Sequence, residues 1–523
     1  MRNLLIPLLM VTLGASCQHQ QTTTNVQRQP THLVILHTND THGYIWGNEE
    51  TGTVAQRAHV INEARQEVTS SGGVVLLLDA GDVRTGTYCS DTRRSEPDLE
   101  AMDAMGYDAM VVGNHEFDVN YSVVLQQREL VSFPILGANV LSAETGESLL
   151  DPAVVIERGG LRIAIIGLVT SDSATTSTNG ADPALRFGDP TSMARHLVER
   201  LRPQADLVVV LSHLGLEEDR RLAHDVDGID VIIGGHSHDV LEHPIVEGST
   251  VIAQAGDYGR FVGRVDLAVG DDSVELQSGR LLRITPDLPS DPAVTAVLER
   301  YACDEASEVI VELTEDVTRE PLAGPGTSST LSNLVSDALR SVAGADVSLV
   351  NRGGLRADLS AGPVTAADVH AVLPFDNRVV VVEATGEDLV AIARSVHSRG
   401  PDGRGVLFTS GMRFIFGPSD RVQVMVGGQP ADPTRRYTLA LSAFIAEGGD
   451  GHEPITRLTR VRELSETSAA AFSSFLRSSG EVTLDREART VWLSSDGPSA
   501  PSPKSVRSLD RRGRTGAVMS ASM

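Results

Sequence analysis

The chain has 523 residues, 41% hydrophobic and 22% charged, a composition ordinary for a globular protein of roughly two to four domains. A formal net charge of −26 excludes nucleic acid as the main partner, because phosphate backbones need basic patches. It leaves a small anionic substrate open, since bound divalent ions reverse the potential locally.

The chain starts with Arg2 and a ten-residue apolar run, Leu4 to Leu13, too short to span a bilayer and read as an export signal. Gly14-Ala15-Ser16-Cys17 resembles a bacterial lipobox, although Gly14 stands where the usual Leu would be and Leu13 sits one place early. Residues 1–17 are therefore expected to direct export, with Cys17 as a lipid-modified first residue; ordinary cleavage nearby is the alternative. The destination would be periplasmic or cell-surface, with the lipid as the one link to a membrane. Residues 18–30, rich in Gln and Thr, predict a flexible tether.

From Leu33 short β-branched-rich runs (LVILH, VVLLLDAGD, AMVVGNH, LRIAIIGL, LVVVLSH, DVIIGGH) alternate with amphipathic segments such as Val54–Val68 and Pro190–Leu201. Strands buried on both faces read this way, and the alternation predicts an α/β domain over 31–289. Ser290-Asp291-Pro292 is a helix start, and Val294, Val297, Leu298 and Tyr301 recur at helical spacing. A connecting helix is expected over 290–312. A smaller mixed domain over 313–495 follows, with helices at Thr330–Ser341, Glu387–His397 and Ser468–Leu476, then a disordered tail over 496–523. Cys89 and Cys303 lack metal-site spacing; a disulfide and two free thiols both remain open.

The polar residues carry the function. Asp40 and His42, Asp82, Asn114 and His115, His213, and His236 and His238 each follow or close an apolar strand. In an α/β sheet those C-terminal ends share one edge, where ligands bind. Carboxylate, imidazole and amide oxygens suit Mn, Fe, Zn or Co. A carboxylate with two oxygens can bridge two ions, and such a pair can activate a water and clamp the oxygens of an in-line phosphoryl displacement. Taken singly, each His or Asp is more often structural; the ordered set is the signal.

Asp-x-His, Gly-Asp, Gly-Asn-His-Glu, a strand-end His and Gly-His-x-His together resemble the calcineurin-like metallophosphoesterases. The stretch GDVRTGTYCSDTRRSEPDLEAMDAMGYDAMVVGNHEFD is similar to the bacterial 5′-nucleotidase / UDP-sugar hydrolase family. The resemblance implies a four-layer αββα catalytic sandwich joined by the helix to a substrate-binding domain. It implies two divalent ions (Mn, Zn, Co, Fe or Mg), one held by Asp40, His42, Asp82 and His238. The other would be held by Asp82, Asn114, His213 and His236, with Asp82 bridging. His115 and Asp118 match the family's catalytic pair; the bland alternative for Asp118 is a cap on the next helix. Glu116 reads as structural.

In the second half, Asn351-Arg352-Gly353-Gly354-Leu355-Arg356 resembles the family's Asn-x-Gly-Gly-x-Arg. Phe375 and Phe444 would sandwich a nucleobase and Asp450 would bind a ribose hydroxyl, so Asn351, Gly353, Gly354, Arg356, Phe375, Phe444 and Asp450 are the expected nucleotide-binding set. One departure stands out: Gly324-Pro325-Gly326-Thr327-Ser328 occupies the place where relatives carry an Arg and a Glu, and Arg352 is the candidate replacement. The implied activity is metal-dependent hydrolysis of nucleoside 5′-monophosphates, with di- and triphosphates and UDP-sugars as further substrates, by a chain whose second domain rotates; the sequence leaves the oligomeric state open, a monomer being the preferred expectation. The alternatives are a 2′,3′-cyclic nucleotide phosphodiesterase and a non-catalytic nucleotide-binding surface lipoprotein.

Overall fold

The computed structural model describes residues 30–493 apart from 48–49, 178–179, 181, 272, 302, 376, 402, 404 and 419–420. The leader, Cys17, nearly all of the tether and the tail therefore lie outside the described residues.

Two six-stranded sheets pack face to face in the first domain. One orders its strands as Val274–Arg283, Phe261–Val269, Thr31–Thr38, Val74–Asp79, Ala109–Val111 and Ile135–Leu136. The other runs Ile245–Glu247, Thr250–Ala253, Val231–Gly234, Leu207–His213, Leu161–Val169 and Ala153–Arg158. Alternation along each strand feeds two cores at once. Leu33, Ile35, Leu76 and Leu78 meet Ile163, Ile165, Val209 and Leu211 between the sheets. Val34, Leu36, Val75 and Leu77 face outward onto Ala58, Ile61 and Val68 of helix Val54–Ser70. Ile166, Val208 and Val210 cover the other outer face with Leu197 and Val198 of helix Pro190–Leu201. Helices outside two packed sheets make the four-layer αββα sandwich.

The second domain is built on a five-stranded sheet, in the order Leu407–Ser410, Val347–Asn351, Arg436–Ser442, Arg378–Thr385 and Thr459–Thr467. Helices Thr330–Ala343 and Ser468–Ser479 cover one face and Gly386–His397 the other. Among the described residues, no helix is long and apolar enough to cross a membrane.

The connection departs from the single helix read over 290–312. Asp291 caps a helix of only Pro292–Arg300, whose Val294 and Val297 join the first domain's core. A 3₁₀ turn at Asp304–Ser307 follows, and Val309–Leu313 then pairs as a strand with Gly362–Thr365 of the second domain. The β-branched run Val309-Ile310-Val311 finds a strand partner, which outweighs weak helical spacing. The cysteines are joined: Cys89 and Cys303 form a disulfide with Cα atoms 5.9 Å apart, tying the connection back to the catalytic domain.

Candidate active site

The strand ends converge as the alternating pattern requires. His42 Nε2 and His238 Nε2 lie 3.1 Å apart, with Asp40 Oδ1 3.4 Å from the latter. His213 Nε2 stands 3.0 Å from Asp82 Oδ2, and His236 Nδ1 lies 2.8 Å from Asn114 Oδ1. Asp40, His42 and His238 form one set of ligand-type atoms and Asp82, His213 and His236 a second, while His42, Asp82 and His115 link the two.

Outer hydrogen bonds fix how each ring presents itself. His42 Nδ1 donates to the Thr85 carbonyl (2.9 Å) and His213 Nδ1 to the Ala80 carbonyl (2.7 Å). His238 Nδ1 donates to Asp257 Oδ2 (3.0 Å), and Asn39 Nδ2 donates to Asp40 Oδ2 (2.7 Å). The Nε2 lone pairs of three imidazoles are thereby turned inward. His213 Nε2 is fully buried against Asp82 Oδ2, and the Nε2 atoms of His42 and His238 face each other. Such lone pairs beside two buried carboxylates need a cation, so the donor set fits divalent metals. A proton can take the cation's place on His213 Nε2: burial opposes a charged His213, yet Asp82 and Asp40 outweigh it and drive the imidazole up to about 10. His238 is driven up to about 9 against its burial by Asp257 and Asp40. Burial likewise opposes ionisation of Asp82, but the surrounding imidazoles hold it well below the usual carboxylate range.

The backbone is specialised at the same places. Asp40, His42, Asp82, His236 and His238 all hold left-handed φ values between 49° and 75°. Non-glycine residues rarely adopt that region, and such strain gathers at functional sites. Gly113 leaves room for the carboxylate: a Cβ there would collide with Asp82 Oδ1. The His115 amide donates to Asp82 Oδ1 (2.8 Å), leaving Oδ2 toward His213. Glu116 is structural as read, accepting from the amides of Gly113, Asp82 and Val83.

His115 Nδ1 donates to Asp118 Oδ2 at 2.6 Å, so Nε2 faces the cluster, 4.0 Å from Asp82 Oδ2. Burial alone would lower the His115 pKa, but Asp82 and Asp118 raise it above the ordinary value. Asp118 is not the helix cap; Asn120 caps Tyr121–Gln127.

A cavity of about 800 Å³ opens between the domains. Asp82, Asn114, His115, His236 and His238 line one wall; Asp40, His42 and His213 lie buried behind it. Asn351, Gly353, Gly354, Arg356, Phe375, Phe444 and Asp450 line the other. The Phe375 ring stacks on His115, with centroids 5.8 Å apart and planes 27° off parallel. Asp450, itself left-handed at φ 54°, accepts from Asn351 Nδ2 at 2.8 Å. Gly449 lets the Phe444 ring lie against the backbone, where a Cβ would overlap it.

Arg352 does not replace the absent arginine: its guanidinium donates to the carbonyls of Pro401 and Gly403. Arg319 lines the cavity as well, beside Arg352. Its Nε donates to Asp358 Oδ1 (2.9 Å) and its Nη1 to the Arg356 carbonyl (2.6 Å), bringing a second guanidinium beside Arg356. Sequence reading missed it because Arg319 lies between the metal-type motifs and the first matched motif of the second domain, outside both.

Comparison with known proteins agrees. Residues 33–240 match the family model described as calcineurin-like phosphoesterase, and residues 309–457 match the 5′-nucleotidase C-terminal domain. Protein UshA of Yersinia enterocolitica is 30% identical over 482 residues, covering 82% of this chain and 87% of that protein. The chain belongs to the 5′-nucleotidase family. The 5′-nucleotidase of Vibrio vulnificus is 28% identical over 533 residues, covering 91% of this chain and 96% of its own length. The crystal structure of a 5′-nucleotidase precursor from Thermus thermophilus superposes with a TM-score of 0.77 at 31% identity, over 88% of this chain and 99% of that one. As a member of this phosphoric ester hydrolase family, the chain places both halves of the 5′-nucleotidase architecture around one cavity.

Proposed function

We propose that the protein is an exported 5′-nucleotidase that hydrolyses nucleoside 5′-monophosphates to nucleoside and phosphate, with nucleoside di- and triphosphates and UDP-sugars as further substrates. One observation carries this: a single cavity has the Asp82 and His115 cluster on one wall and Phe375, Phe444, Asp450 and Arg356 on the other. Two divalent ions, one held by Asp40, His42, Asp82 and His238 and one by Asp82, Asn114, His213 and His236, would supply Lewis acidity and an activated water.

The chain's own groups do the rest. The two phenyl rings take the base between them, and Asp450, fixed by Asn351, accepts from the ribose hydroxyls. Arg356 offers a forked donor to phosphate oxygens, and Arg319, whose Nε and Nη1 are engaged, adds positive charge and its Nη2. His115, oriented through Asp118, donates from Nε2 to the phosphoryl oxygen where negative charge grows. The disulfide supports export, since such bonds persist in oxidising compartments. Lipid attachment at Cys17 is part of the proposal, and its check is whether Cys17→Ala moves the protein from the membrane to the soluble fraction.

The test of function is phosphate release from AMP, ATP, UDP-glucose and 2′,3′-cyclic AMP with Mn²⁺, with and without EDTA, beside Asp82→Ala. Release from AMP that EDTA and the substitution both abolish is the expected result. No release from any of the four by metal-loaded protein would remove nucleotides as the substrate class.

A further inference from the structure

The Asp450 end of the cavity is made of backbone that needs support. Gly448, Asp450 and Gly451 all take left-handed φ values, 95°, 54° and 71°. Glycine adopts that region freely. Asp450 does not, and a residue with a side chain persists there only where its surroundings fix it. One hold on Asp450 is the bond from Asn351 Nδ2 to its carboxylate.

A second hold comes from outside every motif that marks the site. Arg399 stands just beyond the helix Gly386–His397, exposed and outside the cavity lining. Its Nη1 donates to the Asp450 carbonyl and its Nη2 to the Gly451 carbonyl. A guanidinium presents its donors in one rigid plane, so these two successive carbonyls are fixed relative to each other. Two glycines leave room for the fork. A Cβ on Gly451 would lie 2.9 Å from Arg399 Nη2, and one on Gly405, which lines the cavity, 3.1 Å from Nη1. The same helix engages the next residue too: His452, fully buried, meets Ser395 Oγ through Nδ1 at 3.1 Å.

We propose that Arg399 is a positioning residue for ribose recognition, holding the turn in the left-handed form from which the Asp450 carboxylate reaches the ribose hydroxyls. The inference rests on the reading of Asp450 as the ribose ligand and adds the group that keeps it in place. Without the fork, the two carbonyls turn to water at little net cost, and Asp450 gains a route to ordinary φ. The loss then falls on the hydroxyl contacts, while base stacking on Phe375 and Phe444 persists.

Calorimetric titration of the full chain with adenosine and with 2′,3′-dideoxyadenosine is the test, and it requires no turnover. Wild type should prefer adenosine by about tenfold, the worth of one or two hydrogen bonds to a carboxylate. Arg399→Met should bind adenosine about tenfold more weakly and dideoxyadenosine as wild type does, at an unchanged Tm. Arg399→Lys, which can hold one carbonyl with a point charge, should recover part of the preference. Gly451→Ala, which crowds the fork from the other side, should lose it. In an Asp450→Ala background Arg399→Met should cost nothing further, because both act on one contact. An Arg399→Met protein that keeps the full preference, or that loses both ligands equally, overturns the inference. Wild type that binds neither nucleoside removes the ribose reading of Asp450 and this inference together. Adenosine preference that depends on Arg399 in a chain that releases no phosphate from AMP removes the nucleotidase reading and leaves this one standing.

Discussion

Asp82 is held by the His115 amide, packed against Gly113 and set beside His213, so small changes next to it carry large consequences. Gly113→Ala is expected to push the carboxylate out of place and cut kcat/KM for AMP by about 100-fold or more, together with loss of bound metal measured by elemental analysis. His115→Ala should lower kcat by about 10²–10⁴ with little change in KM, whereas Asp118→Asn should lower it less, because it disturbs orientation only. Arg319→Ala should instead raise KM for AMP about tenfold with kcat nearly kept, and the KM-against-kcat split separates the two roles. A buried carboxyl outside the ligand set contributes to stability with pH. Asp98 is buried, accepts from Ser90 Oγ at 2.6 Å, and burial pushes its pKa up to about 7. Its unfolded value is about 4. The folded state therefore keeps a proton that the unfolded chain loses between those limits, and the contribution of Asp98 to stability falls as pH rises from about 4 to about 7. Asp98→Asn should gain Tm relative to wild type across that window and hold the difference constant above it.

At the level of elements, the α/β core was readable because strands covered on both faces leave near-continuous apolar runs, and the residues that break those runs sit at one sheet edge; the two-sheet sandwich itself was implied only by the family resemblance. Asp40, Asp82, Asn114 and His213 were legible for that reason. The connection was harder. Val294 and Val297 do lie on a helix, but nothing local says that it stops at Arg300 or that Val309-Ile310-Val311 pairs with Gly362–Thr365. Tertiary pairing decided it. The same holds for Cys89 and Cys303, whose separation of 214 residues carries no information about distance in space. Arg319 was invisible because a lone arginine before a helix has no pattern; only its bonds to Asp358 and the Arg356 carbonyl place it at the cavity. The disulfide adds its own expectation. Replacing both cysteines by serine should lower stability by about 2–4 kcal/mol, read as a shift of the denaturation midpoint.

Across the whole molecule, the two domains meet at Phe375 on His115 and at His370 on Asp91, with the large cavities between them. The disulfide has a further consequence for this arrangement. It closes a covalent ring from residue 89 to residue 303. Asn114, His115, His213, His236 and His238 are inside that ring; Asp40, His42 and Asp82 are outside it. The turn at 143–147 is exposed and lies within the ring. A single protease cut there opens the main chain yet leaves both pieces joined through sulfur, each carrying part of the candidate ligand set. The nicked protein should run as one species on a non-reducing gel and as two after dithiothreitol. If the halves then drift apart, a thiol reagent becomes an off-switch for a split enzyme assembled from this chain alone.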